Sequence, residues 1–104
     1  MDIQTEQHQD KSILILDKGT ILGPEASQIQ NMVLDFIQNG SKVIVVDLSK
    51  MDYITSWGIG TLIHALTTCT NRNVKFYLAG VNEKILNILK KVKLDKIFNL
   101  KESV

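Results

Sequence analysis

The chain has 104 residues, and 44% of them are hydrophobic. This hydrophobic content suffices for one compact core and is too high for a disordered chain. Its formal net charge of +1 gives no electrostatic case for nucleic acid or a membrane as a partner. The single cysteine, Cys69, excludes an internal disulfide, and no apolar stretch approaches the roughly 20 residues of a membrane span.

The N-terminal part of the chain predicts a strand and then a helix. Residues 2–9 are polar and leave two readings open, an edge strand or a loose segment. The apolar run 12–16 is typical of a strand, and Lys18-Gly19 and Gly23-Pro24 interrupt the pattern after it. A helix follows from Pro24 and closes at Asn39-Gly40. Its apolar residues recur at the spacing of one helix face: Ile29, Met32, Val33, Phe36 and Ile37.

The C-terminal part predicts three more strands and two more helices. The β-branched run 43–49 indicates a strand buried on both faces, and 74–81 indicates another. Between them a helix runs to about Thr70, and Asn82 is a good cap for a third helix. We expect 94–100 to form a turn and an edge strand. The apolar faces of the two helices are predicted to be Ile59, Leu62, Ile63 and Leu66 in one, and Ile85, Ile88, Leu89 and Val92 in the other.

The order of these elements predicts an α/β fold. Strand–helix–strand connections imply parallel strands, and the length indicates one domain over residues 1–104. We expect a mixed central sheet with helices packed mainly on one side. The first residues, Met1 to Glu6, lack a basic region followed by an apolar core, so they are not a secretory signal. The expected location is cytoplasmic, and no motif indicates a cofactor.

One stretch connects the central strand to its helix. Asp47-Leu48-Ser49 ends the strand, Tyr53-Ile54 follows, and Thr55 to Gly60 reads Thr-Ser-Trp-Gly-Ile-Gly. Thr55 and Ser56 are both good N-cap residues, so a serine hydroxyl lies at or beside a helix N-terminus. Unpaired N–H groups and the helix dipole favour negative charge there, so a phosphate on Ser56 is electrostatically tolerated.

These residues resemble the STAS domain of bacterial anti-sigma-factor antagonists. The family pattern is a buried strand ending in Asp-Leu-Ser, then Asp-Ser-Ser-Gly-Leu-Gly opening a helix. The resemblance implies that Ser56 is phosphorylated by an anti-sigma factor that is itself a serine kinase, and that a PP2C-type phosphatase removes the phosphate. It also allows a weak homodimer. Thr55 stands where the family has its motif aspartate, and a second family aspartate falls near Leu22.

The predicted partner-binding surface surrounds the proposed phosphorylation site. At about 100° per residue, Trp57 shares a helix face with Thr61, His64 and Thr68, opposite the predicted core stripe. The only tryptophan is therefore expected to face solvent, where tryptophan is a typical interface anchor. The expected contact residues are Leu22, Gly23, Thr55, Trp57, Gly58, Thr61 and His64.

Several other interpretations of these residues stay open. Without phosphorylation, the chain is a STAS binding or scaffold module, for example a subunit of a signalling complex or a transport system. A small serine hydrolase using Ser56 lacks a base, because His64 lies two helical turns away. We expect no catalytic residue and no metal site. Gly58 and Gly60 favour a close approach of the helix to the sheet or to a partner, and Asp47 favours a hydrogen bond to the following loop.

Overall fold

Five strands and three helices alternate in this computed structural model, which describes residues 2–17, 19 and 21–104. In chain order the elements are β1 (Ile3–His8), β2 (Lys11–Leu16), α1 (Gly23–Gln38), β3 (Val43–Asp47), α2 (Ser56–Asn71), β4 (Lys75–Ala79), α3 (Glu83–Lys91) and β5 (Asn99–Lys101). The strands lie side by side in sequence order. β1 is antiparallel to β2, and each later pair of neighbours is parallel. The predicted α/β fold with a mixed sheet is confirmed.

All three helices pack on one face of the sheet. Leu14, Val46 and Leu78 are paired across β2, β3 and β4, and they share one buried cluster with residues of α1, α2 and α3. Side chains alternate along a strand, so Val45 points to the opposite face, where it is also buried with Ile13. Burial on both faces explains why β3 reads as a continuous apolar run.

The buried side of α2 differs from the predicted stripe. Of the four predicted core residues only Leu62 is fully buried, and the other three are partly buried against the core. The residues that α2 buries are Gly58, Thr61, Leu62, Ala65 and Cys69. The helix is therefore rotated so that its small residues face the sheet and α1, which lets it pack closely.

The ends of the other elements also differ from the sequence prediction. Residues 3–8 form an edge strand, which decides between the two readings of this segment. The strand predicted over 43–49 ends at Asp47, where the side-chain Oδ1 accepts a hydrogen bond from the Ser49 N–H at 2.9 Å, as expected. Val92, predicted in the core stripe of α3, follows the helix and is 49% exposed. Lys18, in the predicted break, lies outside the described residues.

Two contacts fix the loop between β3 and α2. Gly80 follows β4 with φ of +67°, and a β-carbon on it would lie 2.6 Å from that of Ser49. Only glycine fits such a close approach in this backbone conformation. Asn82 caps α3 by accepting from the Ile85 N–H, and its Nδ2 donates to the Met51 carbonyl at 2.8 Å. The loop that leads to α2 is thus held by the segment after β4.

In the part of the chain that the structure describes, no helix is both long enough and apolar enough to cross a membrane.

Candidate functional site

The N-terminus of α2 is held in place by Thr55. Its extended backbone precedes the helix, and its Oγ1 accepts a hydrogen bond from the Gly58 N–H at 3.1 Å. The same hydroxyl donates to the carbonyl of Ile21 at 3.0 Å. Ile21 is buried in the segment between β2 and α1, so one side chain both caps α2 and joins it to that segment.

Ser56 is the first residue of α2 and is exposed to solvent. Among the hydrogen bonds of the described residues, none involves its hydroxyl, in contrast to the hydroxyl of Thr55. The first turn of α2 contains no acidic side chain. The N–H groups and dipole of the helix therefore meet no negative charge from within that turn, and such a helix end suits a phosphate.

Exposed apolar side chains occur next to Ser56 in the chain and in the segment before α1. Trp57 is 59% exposed, as its helical position predicted, and its ring carbon Cη2 lies 3.9 Å from where a β-carbon on Gly23 would stand. Leu22 next to Gly23 is 48% exposed, and Tyr53 in the loop before α2 is 51% exposed. Large apolar groups at solvent are typical of a surface that binds another molecule.

A groove between α1 and α2 opens beside Ser56. It has a volume of about 450 Å³. The residues lining it are Ala26, Gln30, Ser56, Trp57, Gly60, Thr61 and His64. Across its floor Gln30 joins the two helices, because its Nε2 donates to the Thr68 Oγ1 at 3.0 Å. The Gln30 Oε1 is buried and has no hydrogen-bond partner among the described residues.

Two predicted contact residues lie inside the protein. Thr61 was expected on the exposed face, but it is 7% exposed and its hydroxyl donates to the Trp57 carbonyl at 2.7 Å. Gly58 is buried against Ile54. Helical periodicity could not predict the burial of Thr61, because that burial comes from a separate element, α1. Of the predicted set, Leu22, Trp57 and His64 are exposed, while Gly23 and Thr55 are partly buried.

Sequence reasoning missed three members of this surface. Ala26 and Gln30 come from α1, and nothing in their local sequence indicates that they face α2. Tyr53 belongs to the motif, but a loop residue has no periodicity from which exposure can be predicted. The one feature of the sequence that indicated the groove was Gly60, the second glycine of the Gly-x-Gly pair.

His64 and Cys69 are the remaining residues of α2 that could take part in chemistry. His64 lines the same groove as Ser56, but no hydrogen bond among the described residues joins the two side chains. In the described ranges, no group of three or more His, Cys, Asp or Glu side chains is placed to hold a metal ion. Cys69 is buried, and burial raises the pKa of its thiol to about 11, so the reactive thiolate is scarce at neutral pH.

A mixed sheet covered on one face by three helices defines a small α/β domain. The chain belongs to the STAS domain family, whose model matches residues 2–104.

Solved structures with this fold include proteins of two kinds. A candidate anti-sigma factor antagonist from Thermotoga maritima is 23% identical with a TM-score of 0.86, over 98% of this chain and 87% of that one. The anti-sigma factor antagonist SpoIIAA in its unphosphorylated form is 14% identical with a TM-score of 0.78, over 95% and 87% of the two chains. A sulfate transporter family protein from Wolinella succinogenes is 16% identical with a TM-score of 0.80, over 93% and 80%. At these identities the likeness shows the fold alone.

Proposed function

We propose that this chain is an anti-sigma factor antagonist that binds an anti-sigma factor with serine kinase activity while Ser56 is unmodified. Phosphorylation of Ser56 by that kinase ends the binding, and a PP2C-type phosphatase restores it. The observation that carries the proposal is an exposed serine hydroxyl at the first position of α2, with no hydrogen bond to any residue that the structure describes, beside the exposed Trp57.

The physical basis of the switch is local charge. A phosphate adds about −1.5 to −2 charges at pH 7. In the free protein the N-terminus of α2 stabilises that charge, so the fold is retained. In the complex the same charge must leave water beside Leu22 and Trp57, which are apolar. A penalty of about 3 kcal/mol lowers affinity more than a hundredfold.

A phosphorylation assay tests the proposal. The chain is incubated with the anti-sigma factor kinase from the same genome, ATP and Mg²⁺, and its intact mass is measured. We expect one added phosphate on the wild type and none on Ser56→Ala. Ser49→Ala is the matched control, because Ser49 is an exposed serine in the preceding loop, and it should gain the phosphate. No added phosphate from a kinase that is active on another substrate would refute the proposal.

A second candidate is a STAS module that binds partners without phosphorylation, in a signalling complex or a transport system. Thr55 and Leu22 favour it, because they stand where the family has acidic residues close to the phosphorylated serine. The same fold also occurs in a sulfate transporter family protein. This candidate predicts that the chain gains no phosphate from an active kinase and ATP and still binds its partner, whereas the first predicts one added phosphate and weaker binding.

A further inference from the structure

The two glycines of the Gly-x-Gly pair have different environments. A β-carbon on Gly58 would lie 2.6 Å from Cγ1 of Ile54 and 3.3 Å from Cδ1 of Ile21, so the core requires glycine there. A β-carbon on Gly60 would meet nothing within 4 Å. The fold therefore explains Gly58, but it does not explain Gly60.

Gly60 also weakens the helix that contains it. It is exposed and lies within α2 (Ser56–Asn71), where glycine is a poor helix former because its backbone loses the most conformational freedom on folding. Among the described residues, no neighbour lies close enough to require that a β-carbon be absent there. A residue without a β-carbon at this point is useful when the main chain of another molecule approaches closely.

The groove beside Gly60 indicates the chemistry of that molecule. Its volume of about 450 Å³ lies within the usual range of about 300–1,000 Å³ for binding pockets. The lining combines Ala26 and the Trp57 ring with the polar side chains of Gln30, Ser56, Thr61 and His64, and it contains no Asp, Glu, Lys or Arg. Away from the N-terminus of α2, a charged group in the groove would lose hydration without gaining an ion pair, so this part of the groove favours an uncharged group, and Ala26 and the Trp57 ring favour an apolar one.

We propose that the protein partner places an uncharged, apolar side chain in this groove, and that the partner's main chain passes over Gly60. The identity of the partner as the anti-sigma factor kinase rests on the proposed function; the occupancy of the groove does not. Ser56 lines the same groove, so a phosphate on it stands at the position that the incoming apolar group must pass. The groove thereby links the modification to the loss of binding.

A titration without the partner tests the chemistry of the groove. Toluene is the side chain of phenylalanine without its backbone, and protonated benzylamine is a cation of similar size that the N-terminus of α2 does not attract. In two-dimensional ¹H–¹⁵N NMR spectra, we expect toluene to shift the Gly60 and Thr61 amides and the Trp57 indole N–H, and benzylamine at neutral pH to leave them unchanged. Gly60→Leu should abolish the toluene shifts. No shift with toluene, or equal shifts with benzylamine, would overturn the proposal.

A binding series tests the approach over Gly60. We expect Gly60→Ala to unfold at a higher temperature than the wild type, yet to bind the kinase about tenfold more weakly, with a larger loss for Gly60→Leu. Thr67→Leu is the matched control, since it adds bulk to an exposed position of α2 outside the groove, and it should bind normally. Unchanged binding of both Gly60 variants, or equal loss in the control, would overturn the proposal. A wild type that does not bind the kinase refutes the proposed function instead, and the toluene titration still decides the groove.

Discussion

At the scale of single residues, Thr55 and Ser56 are neighbours whose hydroxyl groups have different structural roles. Thr55 caps α2 and bonds to the Ile21 carbonyl, whereas the hydroxyl of Ser56 bonds to no described residue. We expect Thr55→Ala to lower the free energy of unfolding by about 1–2 kcal/mol, because it removes a cap and leaves a buried carbonyl unpaired. Ser56→Ala should change it by less than about 0.5 kcal/mol. Urea denaturation measures both, and equal losses would contradict these roles.

The sequence predicted this pair of residues but could not assign the cap to one of them. Both are good N-cap residues, and the choice depends on Ile21, which lies 34 residues earlier in the chain. The exposure of Trp57 followed from helical periodicity, since that position lies opposite the predicted core stripe of α2. The burial of Thr61 could not be predicted from periodicity, because it depends on how α1 packs beside α2.

At the scale of the elements, Asn82 joins the start of α3 to the loop before α2. Its Oδ1 accepts from the Ile85 N–H and its Nδ2 donates to the Met51 carbonyl, both at 2.8 Å. We expect Asn82→Ala to lower the free energy of unfolding by about 2 kcal/mol, because both bonds are lost. Asn82→Asp keeps the cap but loses the donor, so its loss should be about half as large. Chemical denaturation of the two variants would contradict the account if Asn82→Asp were as stable as the wild type.

The order and type of the elements were predictable, but their ends and the rotation of α2 were not. Apolar runs and helical spacing identify strands and helices because burial imposes those periods on the sequence. The end of β3 depends on the Asp47 carboxylate, which accepts a hydrogen bond from the Ser49 N–H. The buried side of α2 depends on small residues such as Gly58 and Ala65, which carry little weight in a hydrophobic pattern.

At the scale of the whole molecule, Cys69 reports on the stability of the core. Burial raises the pKa of its thiol from 9.0 to about 11. The folded state holds this proton more tightly than the unfolded state. The protonated thiol therefore contributes fully to the free energy of unfolding below about pH 9, and this contribution is lost as the pH rises towards about 11. Over this pH range, we expect the free energy of unfolding of the wild type to fall by about 2–3 kcal/mol more than that of Cys69→Ala. Identical pH profiles of urea denaturation for the two proteins would contradict the assignment.

The arrangement of the molecule was predicted partly from sequence periodicity and partly from the family resemblance. Periodicity alone indicates an α/β domain with parallel strands. The placement of the helices on one side came from the family resemblance, and the buried cluster that joins α1, α2 and α3 to one sheet face confirms it. The groove was not predicted, because it exists only where α1 and α2 meet.

The most direct test of the central claim is the affinity of the kinase for the chain before and after phosphorylation of Ser56. Isothermal titration calorimetry with the two forms, each shown by its circular dichroism spectrum to be folded, gives both dissociation constants. We expect phosphorylation of Ser56 to weaken binding at least about a hundredfold while the circular dichroism spectrum stays that of the folded chain. Equal dissociation constants, or a phosphorylated form that has unfolded, would contradict it.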